Sequence, residues 1–310
     1  MSNPSNAMSE TPFAPDAAAP AALSATRPFY WSVRRELWEN RSVYLAPLAV
    51  AGVVLVGFLF STIGMPHRRL ATLKLPLARQ AAVIAEPYYF AAGAIIMTMV
   101  IVAIFYSLNA LHAERRDRSI LFWKSLPVSD ATTVLSKAFV PLAVVPVVAF
   151  VIATATQLVI LLASVVILLS NGVPATAPGG PDLAAQWVME LYGLVALTLW
   201  SAPLCGWLLL VSAWARRTPF LWAFLPPLAL CLFEFLAFHT HKLWSALQYR
   251  LVGGLGEAFT VGGQAKVVIS HPSQLEPLRF LSLPGLWAGL VIAAACLAAC
   301  VWLRRRNDPI

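Results

Sequence analysis

The densest run of titratable side chains is Glu114-Arg115-Arg116-Asp117-Arg118, which opens a charged island, Glu114 to Ser129, between two long apolar runs. On a helix, Glu114 and Arg118 lie four apart on one face, an arrangement that adds roughly 0.2–0.5 kcal/mol of support. Ile120, Leu121, Phe122 and Trp123 follow as an aromatic-apolar patch, with Ile120 and Trp123 beside the charged face. Lys124, Ser125 and Leu126 lead to Pro127, which lacks an amide donor and ends the helix. These side chains suit recognition rather than bond-breaking. Charges fix register and partner choice, and a buried aromatic, here Trp123, dominates such a contact. A solvated connecting loop on the basic side of a membrane accounts for the same charges.

Glu234 and Glu190 fall inside apolar runs. A charge at the centre of a bilayer costs on the order of 2.5–3.5 kcal/mol on insertion scales, so such a residue reads as functional by default. The expectation is that both face the interior and line the outer part of a polar path; packing near the interface is the alternative. Asn109, Tyr106 and Gln157 are further polar residues in the same runs, suited to interhelical hydrogen bonds or to that path. His239 and His241 flank Thr240, but no third strong ligand has metal-site spacing, and two such histidines suit a solvated loop. Cys205, Cys231, Cys296 and Cys300 all lie in apolar runs and read as packing residues. The sequence contains no H-E-x-x-H, no G-x-S-x-G and no G-x-x-x-x-G-K-[ST] phosphate loop. No catalytic residue and no cofactor site is expected in this chain.

The elements that must position these residues follow from composition. Of 310 residues, 59% are hydrophobic and 12% charged, about half the ~25% charge of a soluble domain. The apolar runs are continuous and near the ~20 residues that cross a bilayer, which excludes a β-barrel. The expected fold is an all-α polytopic membrane protein with six spans, at about 44–63, 88–112, 138–170, 187–214, 220–238 and 284–303. Residues 1–26, rich in Ala, Pro, Ser and Asn, are expected to be a disordered tail, and 307–310 a short C-terminal tail, around a six-span unit 27–306. Arg27 to Arg41 mixes aromatics and basic residues at helical spacing, as an interfacial helix does.

Met65 to Glu86 is expected to be a loop of mixed character. Ser129 is a plausible N-cap for a helix from Asp130 to about Ser170, long enough to bend at Pro141 or Pro146. Asn171 to Gln186 reads as a turn, and His239 to Leu283 as a long segment with short interfacial helices. Gly285 and Gly289 give the sixth span a small-xxx-small face for helix packing or a dimer contact.

The net charge of +8 does not imply nucleic acid, because Lys and Arg gather at membrane flanks. Fourteen of the 22 Lys and Arg fall on the side of the chain ends. That count places both termini in the cytoplasm.

The order of elements resembles a type-2 ABC-transporter permease, the transmembrane subunit of a bacterial ABC exporter. The detail rests on Leu108 to Lys137: Glu114-Arg115, Ser119, Phe122-Trp123, Ser125-Leu126-Pro127 and Ser136-Lys137 match a pattern that bacterial members carry after the second span. The resemblance implies that Glu114 to Pro127 is a cytoplasmic coupling helix seated in a separate ABC ATPase subunit. It implies that Arg27 to Arg41 is the connecting helix beside it. Two permease copies, identical or sister chains, would pair in the bacterial inner membrane, with ATP and Mg bound only by the partner. Glu190, Glu234, Asn109 and Gln157 would line the translocation path. A non-transporting anchor or regulator of an ATPase complex, and a stand-alone membrane enzyme, are the other readings.

Overall fold

The computed structural model describes residues 26–117, 128–174, 182–259, 273 and 275–306. The expectations for residues 1–25, 118–127, 175–181, 260–272, 274 and 307–310 fall outside them.

Among the described residues, six helical stretches are long and apolar enough to cross a membrane: Ser42–Thr72, Arg79–Arg116, Asp130–Ser170, Leu183–Trp214, Pro219–Phe238 and Pro284–Arg306. In chain order the elements are α1 (Thr26–Glu39), α2 (Ser42–Ser61), α3 (Met65–Thr72), α4 (Leu77–Asn109), α5 (His112–Arg116) and α6 (Asp130–Phe139). They continue as α7 (Val145–Ser170), α8 (Leu183–Trp214), α9 (Pro219–Phe238), α10 (Lys242–Ala258), α11 (Pro277–Ser282) and α12 (Pro284–Arg306).

The loop expected at Met65 to Glu86 is mostly helical. A 3₁₀ turn, Thr62–Gly64, joins α2 to α3, and α4 begins at Leu77. Strong helix formers in LARQAAVIAE explain the early start of α4. Gln80 staples the intervening turn, donating its Nε2 to the carbonyls of Leu73 (3.0 Å) and Leu75 (2.8 Å).

Ser129 does cap α6, accepting a hydrogen bond from the Thr132 amide. Pro141 lies in a π-helical turn, Val140–Val144, that links α6 to α7. Its missing N–H removes one rung of the ladder, which is what such a turn accommodates.

The central helices are α4 and α8. About half of the apolar window of α8 and 44% of that of α4 is buried, against 11% for α9 and 17% for the first span. Small residues let the helices approach: Ala103, Ala138, Ala149, Ala153 and Ala213 are buried together with Val43, Ile95, Leu209 and Cys300. The helices α8 and α12 approach closely at Gly206. A Cβ placed on Gly206 would stand 3.2 Å from Ala293 Cα and 3.2 Å from Cys296 Cβ.

α10 and α11 fold back over the opposite end of the bundle, where Trp200, Phe259, Phe280 and Leu286 form a second core. Gly254 lets α10 lie against the Trp200 indole, since a Cβ there would come within 2.6 Å of the ring. Gly285 and Gly289 open a groove that an arginine fills. The Arg250 guanidinium lies against Gly289, donates to the Gly285 carbonyl (3.1 Å) and stands over Trp200, 4.6 Å from its ring centre.

Candidate functional site

The ends of α4 and α12, the start of α6 and the side of α1 meet at one end of the bundle. Glu36, Glu114, Lys137 and Arg304 are buried there. Lys137 Nζ lies 2.7 Å from Glu36 Oε1 and 3.1 Å from Glu114 Oε1. Arg304 Nη1 lies 2.7 Å from Glu114 Oε2, and its Nε lies 2.9 Å from Asp130 Oδ1. Arg35 Nη2 bridges Glu36 (3.0 Å) and Glu114 (3.1 Å). The Tyr106 hydroxyl completes the cluster by donating to Glu36 Oε2 at 2.9 Å.

Glu36, Glu114 and Asp130 are each met by at least one of Lys137, Arg304 and Arg35, and Arg35 also reaches the exposed Glu39 at 3.3 Å. Burial of ions is costly unless geometry and extra hydrogen bonds compensate, and here each acid has them. The cluster ties α1, α4–α5, α6 and α12 into one node.

A second clamp adds α8. Ser212 Oγ accepts from the amides of Leu111 and His112, both at 3.0 Å, at the corner between α4 and α5. Arg115 Nη2 donates to the Ser212 carbonyl (2.5 Å) and the Ala215 carbonyl (2.9 Å). A cation on the last carbonyls of a helix also complements the helix dipole.

The residues anticipated for recognition therefore divide. Glu114 and Arg115 turn inward and hold the bundle together. Arg116 and Asp117 are exposed and pair with each other at 2.9 Å. Arg118, Trp123, Lys124, Ser125, Leu126 and Pro127 lie outside the described residues. The node flanks that segment on both sides, through Glu114 before it and Asp130 and Lys137 after it. Sequence reading missed Arg35, Glu36, Asp130 and Arg304 as members. Its usable signal was an acid, Glu36, set directly after two arginines in α1, and Lys137 one turn before a span.

The polar residues of the spans also separate. Gln157, fully buried, donates to Glu190 Oε2 (3.1 Å) and accepts from Trp187 Nε1 (2.7 Å), linking α7 to α8. Asn109 ends α4 and is exposed. Glu234 is buried, but both its oxygens are occupied at the start of α10. It accepts from the Thr240 hydroxyl (2.6 Å) and from the amides of Lys242 (2.9 Å) and Leu243 (2.7 Å). His241 stacks on Phe235 at 5.0 Å, and His239 packs edge-on to the same ring. The cysteines are free, with Cys205 and Cys300 buried.

No protein-family model, no curated protein and no solved structure matches this chain.

Proposed function

We propose that this chain is the permease subunit of an ATP-driven ABC exporter, working with a separate ATPase in the bacterial inner membrane with both termini in the cytoplasm. The observation that carries the reading is the buried ionic node. It grips both flanks of the segment that resembles a coupling helix and joins them to α1, α6 and α12. A push on residues 118–127 from a nucleotide-binding partner would reach the spans through a charge cluster that resists local deformation. Buried ionic contacts suit that task because each side chain meets several partners and loses its freedom only once.

The exposed Arg116 and Asp117 would face the ATPase with Trp123 and Lys124 as anchor and register. Tyr30, Trp31 and Trp38 are exposed on α1, and Arg34 lies over the rings of Trp31 (5.1 Å) and Trp38 (5.5 Å). That face suits the headgroup layer and supports the connecting-helix reading of α1. The largely unburied α9 and first span leave apolar surface for lipid and for a second permease copy. ATP and Mg would be held by the partner subunit.

The test is co-purification from native membrane in mild detergent, comparing wild type with Trp123→Ala plus Arg116→Glu. A P-loop ATPase that accompanies wild type and is lost from the folded double variant supports the reading. An ATPase absent from both preparations, or retained by both, overturns it.

A further inference from the structure

Gln186 and Glu190 lie one turn apart on α8, so they share a face. That face lines a cavity of about 490 Å³ between α4, α8 and the end of α10. Its size falls within the ~300–1,000 Å³ usual for small-molecule sites. The other walls are apolar or aromatic, among them Tyr89, Leu194 and Phe259, and Gly93 leaves one wall open.

The two polar residues do not satisfy each other. Gln186 is buried and its Nε2 has no hydrogen-bond partner, and Glu190 Oε1 is likewise buried without one. Glu190 Oε2 is already held by Gln157, whose own carbonyl oxygen is taken by Trp187, so the Gln157 amide is fixed with its N–H toward Glu190. Among the described residues, no Lys, Arg or His pairs with Glu190. A half-satisfied carboxylate and an unsatisfied amide donor, on residues that line an apolar chamber, lack a cation and an acceptor. The terminal torsions of both side chains are soft, so either group reaches a ligand by a small rotation.

We propose that this cavity binds a lipophilic amine: its ammonium N–H bonds to Glu190 Oε1, a neighbouring oxygen accepts from Gln186 Nε2, and its apolar body packs on Tyr89, Leu194 and Phe259. A phosphatidylethanolamine headgroup carries the same ammonium, but its phosphate would come close to Glu190 with no cation among the described residues of the cavity wall to meet it. The free amine is therefore the assigned source. That such an amine is cargo rests on the permease reading; that it binds does not.

The experiment uses the full chain in phosphatidylcholine nanodiscs, with 2-amino-1-decanol as the probe and decane-1,2-diol as the neutral control, read by saturable thermal stabilisation at neutral pH. The aminoalcohol is expected to raise Tm saturably and the diol not. Glu190→Gln should weaken binding at least tenfold, and Gln186→Leu several-fold. Gly93→Leu, which puts a larger side chain into open space on the chamber wall and replaces a poor helix former, should abolish binding in a folded protein even if Glu190→Gln misfolds. Equal stabilisation by the diol, unchanged affinity in Glu190→Gln, or binding that survives Gly93→Leu overturns the proposal. Loss of aminoalcohol binding when phosphatidylethanolamine is added to the discs makes the lipid headgroup the occupant and also overturns it. No ATPase or transport enters the measurement, so its failure and that of the permease reading are told apart.

Discussion

Lys137 and Glu114, on opposite flanks of residues 118–127, form a buried ion pair at 3.1 Å. The same ammonium holds Glu36 at 2.7 Å, and Glu114 also holds Arg304. The charged segment between the second and third spans is thus closed at its base by a contact that also takes in α1 and α12. Movement at that segment has a short route into four elements of the bundle.

Lys137→Met would remove the fully buried cation shared by Glu36 and Glu114 and leave the partly exposed Arg35 as the other cation between them. Removing one partner of a buried ion pair typically costs about 3–5 kcal/mol. The variant should unfold at markedly lower denaturant in mixed micelles than wild type. Stability within 1 kcal/mol of wild type would show that the node contributes little to holding the helices.

Ser212→Ala would strip the acceptor from two amides, those of Leu111 and His112, at the α4–α5 corner. Unsatisfied buried donors cost about 1–3 kcal/mol. Faster hydrogen exchange should be confined to the α4–α5 corner and the end of α8, where Arg115 also docks. Uniformly faster exchange across the bundle would point to global loosening instead.

Gly206→Val tests the α8–α12 contact. The added side chain would press on Ala293 backbone atoms at 3.2–3.3 Å, which have no rotamer to escape into. Overpacking of this kind costs about 1–3 kcal/mol, to be read as a drop in Tm. Gly52→Val, where a Cβ meets open space, is the matched control expected to change Tm little.

Glu234→Ala separates two roles for that residue. As the acceptor for the first amides of α10, its loss should cost about 0.5–2 kcal/mol, as loss of a helix cap does, with faster exchange at Lys242 and Leu243. On the proposed permease reading, a Glu234 that acts only through α10 should leave transport by the reconstituted complex intact. A complete loss of transport in a variant with an intact α10 would return Glu234 to the path.

The sequence alone determined the spans, because a run of about twenty apolar residues has few fates besides a membrane helix. All six appear close to their expected positions, and the Ser129 cap and the irregularity at Pro141 follow from local rules of amide donors and acceptors. Local rules also misjudged Met65 to Glu86, where a mixed character with four basic residues suggested a loop although most residues favour helix. What only the tertiary structure decided is which polar residues meet. Glu114 and Arg115 read as a surface motif from their neighbours in the chain, yet their partners are Lys137, Arg304 and the carbonyls of Ser212 and Ala215. Gly285 and Gly289 read as a helix-packing face, yet the groove holds Arg250 from a separate helix. A helical period tells which face a residue occupies; the residue that faces it comes from elsewhere in the chain, and only the packed fold supplies it.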